Sequence, residues 1–290
     1  MPFLPLHDDH PRILIEHPWV TWGLIAASTL IFLVEVSMSP DEVARLIYGL
    51  GMIPASVVGA RELEPDLVIV PPVLTLVTAQ FLHGGWMHLI ANMLYLWVFG
   101  DNVEDAMGHG RFLVFYLLCG LIAGLAHIAA DPLSTVPTLG ASGAISGVLG
   151  AYLILFPKSR VLVPIIIFPL YLPAYVLLVV WILFQVGSAA AGGPVGGGVA
   201  WWEHIGGFVA GAALVIPFRH KTVPLFAGGR LPQGIRLRPG EGRRNRARPA
   251  GRPPDPRTGS NTDADRDPDS DADKGSDRRS DRGSDRGPWG

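Results

Sequence analysis

The chain has 290 residues, of which 49% are hydrophobic and only 17% charged. That balance excludes a disordered chain overall and places the protein with membrane proteins, and the single cysteine, Cys119, excludes an intramolecular disulfide framework. The net charge of −2 hides two opposed parts: residues 1–218 hold 6 basic and 14 acidic side chains, residues 219–290 hold 17 and 11.

A helix needs about 20 apolar residues to cross a bilayer. Six runs qualify, at roughly 19–38, 86–103, 111–130, 140–157, 161–186 and 199–218. The first follows Asp8, Asp9 and Glu16 without a basic segment before it, so it reads as a retained helix and not as a cleaved signal. The stretch 39–85 between the first two runs contains EVARLIYGLGMIP and DLVIVPPVLTLV, and its Pro71–Pro72 pair argues against a further span. It reads as an interfacial, partly embedded loop. The fifth run carries Pro164, Pro169 and Pro173, which imply kinks or a late start.

The expected fold is an all-α membrane protein, a six-helix bundle over 19–218. A cytoplasmic segment precedes it at 1–18, and a basic, largely disordered tail follows at 219–290. Residues 228–290 are rich in Arg, Asp, Pro, Gly and Ser and cannot bury enough apolar surface to fold. Basic side chains near the spans set orientation. Residues 219–257 carry 11 basic and 2 acidic side chains, so the C-terminus is expected in the cytoplasm. An even number of spans brings the N-terminus to the same side. The expected location is a multi-pass position in a bacterial plasma membrane, with the lipid bilayer as partner and no nucleic acid.

Four polar clusters interrupt the apolar runs: HGGWMHLIAN (83–92), GDNVEDAMG (100–108), GASGAIS (140–146) and EHIGG (203–207). Polar groups in a span are costly and usually face the bundle interior. His88 and Asn92 share one helix face, as do Ser142, Ser146 and Gly150, and as do His204, Gly207 and Gly211. Stripes of small residues let helices approach closely, and close approach is what a serine nucleophile needs from its base. Ser142 with His204 as base, and His88, Asn92 and the Ser142 N–H as oxyanion donors, form such a set. A helical serine can instead bond back to a carbonyl four residues earlier. Glu203 points about 100° away from His204, so a dyad is expected and not a triad. His83 and His88 make a poor zinc set, and no metal or cofactor is expected.

In this order, HGGWMHLIAN, GDNVEDAMG, GASGAISG and HIGGFVAG resemble the rhomboid family of intramembrane serine proteases. The resemblance covers about residues 15–218. It implies a six-helix core with a cavity open to water. It implies Ser142 as nucleophile, His204 as base, and His88 and Asn92 at the oxyanion positions. His83 falls on a more structural position, Glu104 on a structural acid, and Gly140, Gly143, Ser146 and Gly207 support the site. Two departures stand out. Some members carry a tyrosine four residues after the nucleophile, stacked on the base, where this chain has Ser146. The Trp-Arg pair often found in the long outer loop is absent, and residues 71–80 read PPVLTLVTAQ.

The activity implied is hydrolysis of a peptide bond in or near the transmembrane segment of a single-span membrane protein. A catalytically silent relative that binds transmembrane helices is the alternative; it predicts loss of the Ser or the His, and both are present. A transporter would place polar groups at the midplane on broken helices. The oligomeric state is left open by the sequence.

Overall fold

Each of the six apolar runs contains a helix in the computed structural model, which describes residues 5–165, 168–191 and 200–227. The helices are α1 (Trp19–Glu35), α2 (Pro40–Leu50) in the long loop, α3 (Trp86–Met107), α4 (His109–Ala130), α5 (Ser142–Leu155), α6 (Ala174–Ala190) and α7 (Trp201–Phe218). Short helical turns at Pro54–Val57 and Pro72–Phe81 complete the loop, which is thus largely ordered as helix. The tail beyond residue 227 lies outside the described residues.

Among the described residues, α4 is long and apolar enough to cross a bilayer by itself. Pro72–Phe81 and α3, joined through an 81° bend, make a second if they form one broken span. α1, α5 and α6 are apolar but shorter. Helix length and composition alone thus give one or two crossings among the described residues, not six.

The fifth run departs from expectation. Its first part is not helical: β2 (Arg160–Ile165) and β3 (Phe168–Pro173) form an antiparallel hairpin in which Pro164 faces Pro169. Proline lacks an N–H and blocks a helix interior, while the alternating Val161 and Val163 bury in a strand. Pro173 then sits just before α6, where its fixed φ suits a helix start. A short strand, β1 (His7–Asp8), adds to the free edge of β2.

The bundle buries an apolar core around Phe99, Phe112, Phe115, Leu149 and Trp181, turns several polar side chains inward with it, and leaves many large apolar side chains exposed on its outside. The buried face of α1 carries Thr21, Leu24, Ser28, Phe32 and Glu35, while Leu30, Leu33 and Val34 are exposed. An apolar outer surface with polar groups turned inward suits a hydrocarbon solvent, in which apolar side chains need no burial but polar groups do. α5 is the central helix, buried from Ser142 through Tyr152. It packs against α7 along a glycine seam. A Cβ at Gly207 would strike the Gly143 carbonyl oxygen, one at Gly211 the Gly147 carbonyl oxygen, and one at Gly150 the Phe208 carbonyl oxygen. The two helices run parallel and in register, so their first turns lie side by side. α4 runs antiparallel to α5, with Ala123 against Gly143 and Cys119 against Gly147.

At the other end of α5 the 100–108 cluster acts as a clamp. Glu104 is fully buried and accepts from the backbone N–H of Val20 and Thr21 (3.0 and 2.7 Å) and from Thr21 Oγ1 (2.7 Å). It also meets His109 Nδ1. Pro18 gives α1 no side-chain cap, so Glu104 satisfies the orphan donors of that helix from outside it. Asp105 accepts from the N–H groups of Ile13, Leu14 and Ile15 (2.9, 2.6 and 2.7 Å). Asn102 donates to Asp8 Oδ2 at 2.7 Å.

Candidate active site

Ser142 is the first residue of α5, so its N–H and those of Gly143 and Ala144 have no acceptor within the helix. These groups point out of the helix N-terminus, where the backbone dipole favours negative charge. The chain enters through Gly140, at φ +123°, a conformation that side-chain-bearing residues rarely adopt. Space also demands glycine there. A Cβ at Gly140 would lie 2.7 Å from His88 Nε2 and 3.6 Å from Asn92 Nδ2. Two side chains of α3 thus converge on the backbone immediately before Ser142.

Their chemistry suits donors. The Gly84 N–H donates to His88 Nδ1 at 3.4 Å, which leaves the ring proton on Nε2, the atom nearest Gly140. Asn92 is 1% exposed, and neither Nδ2 nor Oδ1 has a protein partner among the described residues. His83 packs behind them, its ring 5.3 Å from that of His88. Its Nδ1 bonds Phe81 O at 3.2 Å, and its backbone N–H donates to Glu35 at 3.4 Å.

His204 lies in the first turn of α7 and is buried. Gly207, one turn on, packs against the Gly143 carbonyl and Ser146 Cβ, so His204 and Ser142 occupy the same layer of the α5–α7 contact. A direct hydrogen bond between Ser142 Oγ and His204 is not formed among the described residues. Ser146 uses its hydroxyl on its own helix, donating to Ser142 O at 2.6 Å. The neighbouring acid, Glu203, turns away from His204. Its Oε1 lies 2.8 Å from where a Gly143 Cβ would be, and Ala123 crowds the same spot.

Two residues at His204 were not anticipated from the sequence. Gln185 Oε1 lies 2.8 Å from His204 Nδ1, and the Trp181 ring centre lies 5.9 Å from the imidazole, tilted by 40°. Both come from α6. A signal was present: Gln185 is a lone amide in the apolar stretch AYVLLVVWILFQVGSAA.

A buried serine at a helix N-terminus, an amide and an imidazole converging on Gly140 just before it, and a buried histidine on the adjacent helix thus lie together at one end of the bundle. The chain belongs to the rhomboid family: residues 71–221 match the Rhomboid domain model. It is similar to the rhomboid protease GluP of Bacillus subtilis, with 32% identity over 205 residues that cover 69% of this chain and 36% of that protein. It is similar to Rhomboid protein 1, mitochondrial, of Saccharomyces cerevisiae, at 29% over 142 residues, 48% of this chain and 40% of the relative. RHOMBOID-like protein 5 of Arabidopsis thaliana is 28% identical over 177 residues, 51% of this chain and 55% of the relative. The chain therefore matches between 36% and 55% of the length of these relatives. Proteins of this family are multi-pass membrane proteins.

Proposed function

We propose that the chain is an intramembrane serine endopeptidase that cleaves in or beside the transmembrane segment of single-span membrane proteins. The observation that carries this reading is the convergence of His88 Nε2 and the unpaired Asn92 amide on Gly140, beside the free first-turn N–H of Ser142. Three donors around one point suit a developing oxyanion, and each is typically worth about 10²–10³ in rate. Ser142 Oγ attacks the scissile carbonyl and His204 Nε2 takes its proton. The proton passes to the leaving nitrogen as the C–N bond breaks. Water then attacks the acyl-enzyme, with His204 again as base. Hydrocarbon holds no water, so the site belongs near a membrane surface, reached from the ends of α3, α5 and α7. The excess of basic residues at 219–257 favours cytoplasmic termini, with the site opening to the other side.

The absence of a Ser142–His204 hydrogen bond among the described residues favours a second reading, a silent protein that only binds transmembrane helices. Catalytic hydrogen bonds often tighten only with substrate, so this observation weighs less than the donor set. Fluorophosphonate labelling of the detergent-purified protein separates the two. Wild type and Ser146→Ala are expected to label, and Ser142→Ala and His204→Ala to fail. A folded wild type that labels with neither a small nor a bulky serine probe would support the silent reading.

A further inference from the structure

α6 presents Trp181 and Gln185, one turn apart, to the His204 ring. Gln185 is 2% exposed and Trp181 1%. Trp181 also lies 5.9 Å from the Phe208 ring, so the wall continues one turn along α7. Burying a glutamine among apolar groups costs free energy unless its amide is hydrogen-bonded. Among the described residues, Gln185 makes the side-chain hydrogen bond to the imidazole of His204. None of the proton transfers described above uses it.

We infer that Gln185 is a positioning residue for His204: its carbonyl oxygen accepts the Nδ1–H and so leaves Nε2 unprotonated to receive the Ser142 proton, with Trp181 holding the plane of the ring. This rests on the protease reading. A neutral imidazole carries one proton. With that proton on Nε2 the ring cannot act as base toward Ser142, and with it on Nδ1 it can. An acceptor facing Nδ1 selects the productive tautomer, as the buried carboxylate does in serine triads. Gln185 supplies a dipole and no charge. The imidazolium formed as Ser142 Oγ bonds to the carbonyl carbon keeps its Nδ1–H on Gln185 Oε1. When Nε2 hands its proton to the leaving nitrogen, the ring returns to the tautomer it started from. Ser146 offers no ring and directs its hydroxyl to its own helix, so support for His204 comes from α6.

The test uses the full chain in detergent with ¹⁵N-labelled histidine, assigning His204 by difference from His204→Ala. Wild-type His204 is expected to be protonated at Nδ1, and Gln185→Met to give a mixture of tautomers. In labelling kinetics, Gln185→Met is expected to lower the limiting rate at least about 10-fold, and by less than the roughly 10⁴ lost when the charged carboxylate of a serine triad is replaced. The probe concentration at half-saturation stays unchanged, and Gln185→Glu, which keeps an acceptor, restores most of the rate. Wild-type His204 protonated at Nε2 overturns the inference, and this spectrum decides even where a variant fails to fold. So does a folded Gln185→Met that labels like wild type, or a folded Gln185→Glu no faster than the Met variant. An Nδ1 tautomer that responds to Gln185→Met in protein that no probe labels would support the pairing and overturn the protease reading instead.

Discussion

Asn92 holds a buried amide with no protein partner on either polar atom among the described residues. Such a group costs about 1–3 kcal/mol in the resting state. That cost is reasonable where the donor is aimed at charge that exists only in a transition state. Asn92→Ala is therefore expected to slow labelling or peptide hydrolysis by about 10²–10³ while leaving the thermal midpoint equal to or above wild type. A lowered midpoint with an unchanged rate would make Asn92 a packing residue. Ser142, His204, His88 and Asn92 stand out as candidates in the sequence because each breaks an apolar run and small residues at helical spacing mark a shared face; the structure brings His88 and Asn92 to Gly140, just before Ser142. Gln185 was legible as an oddity but not as a partner. It lies 19 residues from His204, and periodicity tells which face a residue occupies, not which helix lies opposite. The fate of Ser146 was open between two roles, and its bond to Ser142 O decides for the helix.

At the scale of elements, the six apolar runs located the helices because hydrophobic length is a strong signal. The hairpin at Arg160–Pro173 was hidden. Short apolar runs do not reveal their period, and prolines read equally as kinks in a helix or as breaks before one. Also hidden was how the 100–108 cluster works, since most of its partners are groups of the N-terminal segment and α1 more than 80 residues away. Glu104 closes the start of α1 from α3 with three hydrogen bonds to Val20 and Thr21, and is itself wholly buried. Removing it leaves two N–H groups and a hydroxyl unsatisfied in an apolar setting. Glu104→Ala is expected to cost about 3 kcal/mol or more, read as a lower thermal or denaturant midpoint. Because the lesion lies at the far end of α3 from His88 and Asn92, the protein that remains folded should label at the wild-type rate. Rapid loss of labelling with no change in midpoint would place Glu104 in the site's chemistry instead.

At the scale of the whole molecule, the N-terminal segment is held to the bundle by two groups that titrate in opposite senses. Asp8 accepts from Tyr152 and Asn102, yet burial, with Asp101 and Asp9 adding to it, pushes its carboxyl up to about 7. His10 stacks on Phe156 at 3.9 Å and meets Ser159 Oγ, and burial lowers its imidazole to about 4 despite the charge of Asp9. The folded state thus holds on to the Asp8 proton better than the unfolded chain does. The Asp8 contribution to stability is full at about pH 4 and is lost as pH rises toward 7. His10 does the reverse. Its contribution is full above about pH 6.5 and is lost as pH falls toward 4, because the unfolded ring gains a proton first. Over pH 4–6.5 the two slopes oppose each other, and single substitutions expose each in turn. His10→Phe keeps the stacking and removes the titration, so its midpoint relative to wild type should rise as pH falls from 6.5 to 4.5. Asp8→Asn keeps an acceptor for Tyr152, so its midpoint relative to wild type should rise as pH increases from 4.5 to 7.5. In a bundle of this size each kcal/mol is worth about 2–4 °C, so thermal scans at these pH values resolve both trends. Parallel pH profiles for wild type and both variants would mean that the titration of neither group is linked to folding.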